Sequence, residues 1–135
     1  MAMNENSVDL PTVSLSYEPL VSVILTSYNY ADYVEQSIHS VFDQTYSNLE
    51  LIIVDDGSED GSRDVIEKCT ANAPITVKRI FQENRGQSAA INASLRECHG
   101  DFVAFLDSDD YWYPEKLQIM MVFIAINPDG GVYQH

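Results

Sequence analysis

Four short polar segments carry the side chains in this sequence that are best suited to chemistry. They are Thr26-Ser27-Tyr28-Asn29, Asp55-Asp56-Gly57-Ser58, Asn84-Arg85-Gly86 and Asp107-Ser108-Asp109-Asp110. Each segment follows a predicted strand, and the strands before the first, second and fourth segments are short apolar runs typical of buried strands. Because ligands of open α/β sheets bind at the carboxyl ends of the strands, we expect the four segments to converge on one site.

Asp107 and Asp109 are the candidate metal ligands. Alternate side chains of an extended chain point to the same side, so both carboxylates could face one point. Carboxylate oxygens suit a hard cation, Mg²⁺ or Mn²⁺, which would stabilise charge on a departing diphosphate. The alternative is that these acidic residues cap the next helix or form a solvated turn. We favour the metal site because three other polar strand ends lie beside it.

The second segment and Tyr28 are candidates for recognition of a nucleobase. A carboxylate at the end of a buried strand could accept the imide N–H of uracil, or the N1–H and amino group of guanine. We assign base recognition to Asp56 and structural support to Asp55, with a helix-capping Asx turn as the alternative. Tyr28 has a flat face that could stack on the base, or could instead pack against a neighbouring helix.

Arg85 and Gly86 are candidates for phosphate binding. The guanidinium of Arg85 is a planar donor fork that can pair with phosphate, although it could equally be a surface arginine. Gly86 precedes a predicted helix and could let the backbone approach a phosphate, or could be a simple turn glycine.

The hydrophobic pattern predicts an open α/β fold that would position these segments. Predicted strands cover 21–25, 49–54, about 75–81 and 102–106, with a further strand beginning at Gly131. Predicted helices cover 31–44, about 62–70, about 86–100 and about 114–127, with Pro114 in the first turn of the last one. This alternation favours right-handed crossovers and a mainly parallel sheet with helices on both faces. Residues 1–19 are predicted to be a flexible N-terminal arm and residues 20–135 one domain.

The net charge of the chain disfavours nucleic acid as a partner and remains compatible with a phosphorylated small molecule. Seven basic residues against 21 acidic ones give a net charge of −14, which disfavours nucleic-acid binding. A phosphorylated small molecule remains compatible if a divalent cation lies between it and the carboxylates. Cys69 and Cys98 lack metal-site spacing, so we expect reduced thiols on helix faces. With no signal peptide and no membrane-spanning segment in this chain, we expect a cytoplasmic location, including the inner face of a membrane.

Taken together, the motifs resemble those of glycosyltransferase family 2, whose members have the GT-A fold. The segments that carry the resemblance, in the family's order, are 21–29 (VSVILTSYN), 44–46 (QTY), 49–58 (LELIIVDDGS), 84–86 (NRG) with Ala90 and Asn92, 105–110 (FLDSDD) and 114–117 (PEKL). The match extends from about Leu20 to the C-terminus. Each motif alone is weak, but their combination is highly specific.

The resemblance implies roles for individual residues. Thr26 and Tyr28 would line the nucleoside pocket, and Asp56 would contact the base, usually uracil. Arg85 would lie near the phosphates. Asp107 would approach the ribose or the donor sugar, and Asp109 would bind the metal that bridges the diphosphate. We place Ser108 and Asp55 in the same nucleotide-sugar-binding set.

The resemblance also implies an enzyme that transfers a sugar from a nucleotide-sugar, usually a UDP-sugar, to an acceptor hydroxyl in one inverting step. The catalytic base would be an Asp or Glu from the second half of such a domain. Because the chain stops soon after Tyr133, we expect residues 20–135 to be the donor-binding part, truncated before the acceptor-binding half and inactive alone. The acceptor, a glycan or a lipid, is not identified by this sequence.

The predicted last helix carries more apolar surface than one sheet face needs, through Leu117, Met120, Met121, Phe123 and Ile124. We therefore expect self-association.

Three other functions compete with this interpretation. One is a nucleotide-binding module without catalysis, which only a longer chain could distinguish from a truncated enzyme. A phosphoacceptor signalling domain needs acidic residues after its first strand and a lysine after its last, and this sequence has neither. A phosphatase with an aspartyl nucleophile would place its D-x-D motif after the first strand, whereas Asp107 and Asp109 follow the fourth.

Overall fold

Four strands alternate along the chain with four helices. The computed structural model describes residues 18–127. In chain order the elements are β1 (Val21–Ser27), α1 (Val34–Phe42), β2 (Leu49–Asp55), α2 (Ser62–Thr70), β3 (Thr76–Phe81), α3 (Gln87–Leu95), β4 (Phe102–Asp107) and α4 (Lys116–Ile126). The sheet order is β3-β2-β1-β4 and each neighbouring pair is parallel, which confirms the predicted α/β fold. The predicted strand at Gly131 and most of the predicted arm lie outside the described residues.

Alternating side chains of the two central strands, β1 and β2, pack into two separate hydrophobic cores, one on each face of the sheet. On one face, Val23 of β1 and Leu51 of β2 pack in a large cluster with buried residues of α1, α2 and α4. On the other face, Ile52 and Val54 of β2 pack against Ala90 of α3. Burial on both faces explains the apolar runs 23–25 of β1 and 51–54 of β2. It also confirms that helices cover both faces of the sheet.

Three predicted helix boundaries were wrong, namely the starts of α1 and α4 and the end of α3. Helix α1 begins at Val34 rather than Ala31, because residues 31–33 form a turn. Helix α4 begins at Lys116, so Pro114 lies in the turn before the helix rather than in its first turn. In that turn the carbonyl of Pro114 accepts a hydrogen bond from the Thr45 N–H at 2.8 Å. The side-chain oxygen of Gln44 accepts the Leu117 N–H at 3.0 Å, which joins the start of α4 to the end of α1.

Helix α3 ends at Leu95 rather than continuing to Gly100. Gly100 instead lies where the chain passes against β1. A Cβ atom at this position would be 2.6 Å from the Ser22 hydroxyl oxygen and 2.8 Å from the Leu20 carbonyl oxygen. The glycine is therefore required by its close approach to the start of β1, not by the end of a helix.

Apolar surface remains exposed on β4 and α4. Strand β4 is at one edge of the sheet formed by residues 18–127, and its Phe105 side chain is 56% exposed. In α4, Leu117 and Met121 are buried in the core, whereas Phe123 is 55% exposed. The exposed apolar surface is therefore shared between β4 and α4, rather than carried by α4 alone. No helix within the described range is long and apolar enough to cross a bilayer.

We predict that the 135-residue chain self-associates through the exposed face of β4, because an edge strand with exposed apolar side chains favours pairing. Light scattering across a concentration series measures this association. Replacing Phe105 with Thr is expected to weaken association, while Tyr33→Thr, at another exposed aromatic position, leaves it unchanged. A wild-type chain that stays monomeric at high concentration would contradict the prediction.

Candidate functional site

The four polar segments that follow the strands all contribute to one pocket of about 560 Å³. This volume lies within the range of small-molecule sites, roughly 300–1,000 Å³. The lining residues are Thr26, Ser27, Tyr28, Tyr30, Asp56, Asn84, Gly86, Gln87, Ala90, Asp107, Ser108 and Asp109. Since all four strands are parallel, their carboxyl ends bring these residues to the same edge of the sheet.

Most of the residues assigned from the sequence lie in the walls of this pocket. They are Thr26, Tyr28, Asp56, Asp107, Ser108 and Asp109. Asp55 and the exposed Arg85 are not among the lining residues. Ser27, Tyr30 and Gln87 line the pocket although the sequence alone suggested no separate role for them. For Ser27 the available signal was its position in the same strand-end segment as Thr26 and Tyr28.

Asp55 closes the turn after β2. Its carboxylate oxygens accept hydrogen bonds from the Ser58 N–H at 2.9 Å and from the Ser58 hydroxyl at 2.5 Å. The residue is only 3% exposed. The turn also requires Gly57, which has a φ of +81° and lies so close to Asn84 that a Cβ atom would be 2.7 Å from the Asn84 nitrogen. Asp55 therefore stabilises the turn beside the pocket without lining the pocket itself.

Asp56 holds the loop between β3 and α3 in place. Its Oδ1 accepts hydrogen bonds from the Gln82 side-chain amide and from the Arg85 N–H, each at 2.9 Å. Its Oδ2 accepts the Gly86 N–H at 2.9 Å. Burial raises the pKa of Asp56, but these three hydrogen bonds outweigh burial and lower the pKa from its ordinary value. Each carboxylate oxygen has two acceptor positions, so one position remains on Oδ2.

The loop that carries Tyr28 is tied to the loop after β2. The Asn29 N–H donates to the Ser58 hydroxyl at 2.8 Å, and the Asn29 side-chain oxygen accepts the Glu59 N–H at 2.9 Å. Asn29 has a φ of +57°, a conformation that asparagine tolerates better than most residues. These contacts leave the side chain of Tyr28 45% exposed at the pocket rather than buried against a helix.

The loop after β4 is a turn, and this changes the reason why Asp107 and Asp109 lie together. Strand β4 ends at Asp107, and the Asp110 N–H donates to the Asp107 carbonyl at 3.0 Å. The two carboxylates therefore reach the pocket through a turn and not through alternation along an extended chain. Ser108, between them, is only 3% exposed.

Ser37 of α1 supports this loop from beneath. Its hydroxyl is fully buried and lies 3.0 Å from the Ser108 carbonyl oxygen, with the carbonyl oxygen of Asp110 also in contact. No sequence pattern indicates this role, because a serine among apolar helical positions carries no signal for a contact 71 residues away.

The carboxylates of Asp107 and Asp109 suit a hard divalent cation. Within residues 18–127 neither side chain has a hydrogen bond or an ion pair, although both line the same pocket. None of the lining residues is Lys or Arg, so the negative charge of Asp56, Asp107 and Asp109 is not compensated by a basic wall. Oxygen ligands without competing partners are the donors that Mg²⁺ and Mn²⁺ prefer.

A buried hydroxyl at the pocket also lacks a partner. Ser27 is 2% exposed, and in the described part of the chain its Oγ has no hydrogen-bond partner. A buried polar atom without a partner costs about 1–3 kcal/mol. Ser27 belongs to the pocket wall, but its Oγ is shielded from solvent.

Comparison with known proteins identifies relatives of this chain. The sequence profile of the family described as "Glycosyl transferase family 2" matches residues 22–135. A relative in Bacillus subtilis, the putative teichuronic acid biosynthesis glycosyltransferase TuaG, is 43% identical over 109 residues, covering 81% of this chain and 43% of TuaG. This chain spans less than half of the length of the curated relatives it matches.

Two solved structures share the architecture. A mannosyltransferase from Pyrobaculum calidifontis, in complex with GDP-Man and Mn²⁺, superposes with a TM-score of 0.77 at 29% identity, covering 82% of this chain and 33% of that one. S. aureus TarS in complex with UDP-GlcNAc superposes with a TM-score of 0.71 at 28% identity, covering 85% of this chain and 37% of that one.

We predict that Asp56→Asn destabilises the protein by about 1–3 kcal/mol at neutral pH, because asparagine keeps only one acceptor oxygen for the three part-buried donors that Asp56 binds. The lowered pKa means that the carboxylate contributes stability above its unfolded pKa of about 3.9, and that this contribution is lost as pH falls through the folded pKa. Urea unfolding at neutral and acidic pH measures both effects.

The matched control is Glu83→Gln, at an exposed position in the same loop. It is expected to leave stability within about 0.5 kcal/mol of wild type. If Asp56→Asn has no larger effect than this control, Asp56 does not anchor the loop.

Proposed function

The chain belongs to glycosyltransferase family 2 and has the GT-A fold, and we propose that it binds the nucleotide-sugar donor of such an enzyme. The observation that carries the proposal is the shared pocket, in which Tyr28, Asp56 and Asp109 come from three different strand ends. In this proposal the base lies near Tyr28 and Asp56, and the diphosphate lies near Asp107 and Asp109.

The hydrogen-bonding pattern of Asp56 favours recognition of uracil over recognition of guanine. Its single remaining acceptor position, on Oδ2, matches the single imide N–H of uracil. Guanine presents two donors, N1–H and the amino group, and would need a second acceptor. The half-exposed ring of Tyr28 supplies a surface for stacking on the base. TarS binds a uridine nucleotide and the P. calidifontis enzyme a guanosine nucleotide, so this preference requires a direct test.

Phosphate binding in this pocket depends on two sources of positive potential. The first is the N-terminus of the nine-residue helix α3, where the N-cap residue Gly86 and the first helical residue Gln87 line the pocket. The second is a divalent cation held by Asp109 with Asp107, which would stabilise the negative charge of the departing diphosphate. The exposed Arg85 is proposed to approach the phosphates from the rim.

We propose that the full-length protein transfers the sugar to an acceptor hydroxyl with inversion. The residues that choose the acceptor and act as base would belong to the part of the domain that the longer relatives have and this chain does not span. The role of TuaG in teichuronic acid biosynthesis supports polysaccharide assembly as the setting. Accordingly, the 135-residue chain is expected to bind donor without transferring sugar. Measurable transfer by this chain would contradict that assignment.

We predict that UDP binds with micromolar-to-millimolar affinity in the presence of Mn²⁺, and more weakly by at least about tenfold without it, because the acidic pocket repels a bare diphosphate. Isothermal titration calorimetry with UDP and GDP measures the metal dependence and the base preference. Asp109→Ala is expected to abolish the metal-dependent heat.

The matched control is Asp110→Asn, because Asp110 lies in the same turn but outside the pocket walls, and its amide analogue can still accept the Tyr111 N–H. This variant is expected to bind UDP as wild type does. The proposal fails if no nucleoside diphosphate gives metal-dependent heat, or if Asp109→Ala and Asp110→Asn behave alike.

We also predict that Tyr28→Ala weakens UDP binding by about fivefold to tenfold, corresponding to about 1 kcal/mol of stacking. Tyr28→Phe, which keeps the ring, is expected to bind as wild type does. Equal losses in both variants would show that the hydroxyl, not the ring face, makes the contact.

A further inference from the structure

A cluster of metal-ligating side chains lies outside the donor pocket, where α1 packs against α2. Glu35 and His39 are one helical turn apart on α1, and Cys69 is near the end of α2. Their ligand atoms all lie within 4.8 Å of one another. None of the three residues lines the donor pocket.

The geometry of this cluster is close to that of a tetrahedral metal site. Zinc bonds of about 2.0–2.3 Å place neighbouring ligand atoms about 3.3–3.8 Å apart. The Nε2 atom of His39 and the Oε1 atom of Glu35 are already 3.7 Å apart. These two side chains are 51% and 64% exposed, so they can rotate toward the Cys69 thiol without disturbing the core.

The ligand chemistry distinguishes this cluster from the donor pocket. A thiolate, an imidazole and one carboxylate suit Zn²⁺ and related borderline metals, whereas Asp107 and Asp109 offer oxygen alone. Burial raises the pKa of the Cys69 thiol, the neighbouring Glu35 carboxylate raises it further, and Lys68 opposes them. A bound cation must therefore displace the thiol proton, which a thiophilic metal does and Mg²⁺ does not.

We propose that Glu35, His39 and Cys69 form a binding site for a Zn²⁺-class transition metal, with the fourth position left for water. The proposal rests on the α1–α2 geometry and does not depend on the donor-binding function.

A metal bound at this site would link two helices that support the donor pocket. Helix α1 carries Ser37 beneath the Asp107–Asp110 turn, and α2 follows Asp60, which accepts the Ala31 N–H at 3.0 Å.

The test is titration of the metal-free, reduced 135-residue chain with Co²⁺, a spectroscopic substitute for Zn²⁺. We expect a near-ultraviolet thiolate-to-Co²⁺ charge-transfer band that saturates at one equivalent and is displaced by Zn²⁺. Cys69→Ser is expected to abolish the band, and His39→Gln to weaken Co²⁺ affinity by at least about tenfold. Zn²⁺ is also expected to raise the thermal unfolding temperature of wild type but not of Cys69→Ser.

Two controls separate this site from other metal binding. Cys98→Ser removes the other cysteine, whose thiol lies 3.4 Å from the Ser94 carbonyl oxygen, and is expected to keep the band. Asp109→Ala is also expected to keep it, because oxygen ligands give no thiolate transition. Absence of the band in wild type, its persistence in Cys69→Ser, or its loss in Cys98→Ser would each overturn the proposal. Circular dichroism of each variant verifies that it is folded.

Discussion

The shape of the pocket depends on the hydrogen bonds that the Asp56 carboxylate accepts. The carboxylate lies at the end of a strand buried on both faces, and it accepts the backbone N–H groups of Arg85 and Gly86. These donors fix where α3 begins, and the start of α3 forms one wall of the pocket. Since an unsatisfied buried carboxylate or N–H is costly, the loop has little freedom to adopt another path. The residue that positions the wall also retains one acceptor position, on Oδ2, for the base of the proposed donor.

Much of the fold could be predicted from the sequence because its signals are local. Apolar runs such as residues 51–54 indicate strands buried on both faces, and polar residues directly after them indicate a site. What escaped prediction depends on contacts between distant residues. Ser37 beneath the turn after β4 and Gln44 at the start of α4 bond to partners about 70 residues away, and neither leaves a local pattern. The turn at Asp107 was missed because two carboxylates at i and i+2 fit an extended chain equally well.

The second constraint on ligand binding in the pocket is the negative charge of the pocket and of the whole chain. With a net charge of −14 for the chain and no Lys or Arg among the residues that line it, the pocket offers a bare diphosphate no basic wall. In the proposed donor site, the carboxylates that repel a bare nucleotide would become ligands of a hard cation, so metal and nucleotide binding would be thermodynamically coupled. The cluster on α1 and α2 has a different donor set, and thus a different metal preference, within the same small domain.

The most direct measurement of the central claim is the paramagnetic broadening that Mn²⁺ causes in the amide NMR spectrum of the chain in the presence of UDP. If the strand ends form one donor site, the signals of Ser27, Gly86 and Asp109 broaden together at substoichiometric Mn²⁺, and more strongly with UDP than without it. Broadening centred on Glu35 and His39, with the strand-end signals unchanged by UDP, would contradict the account.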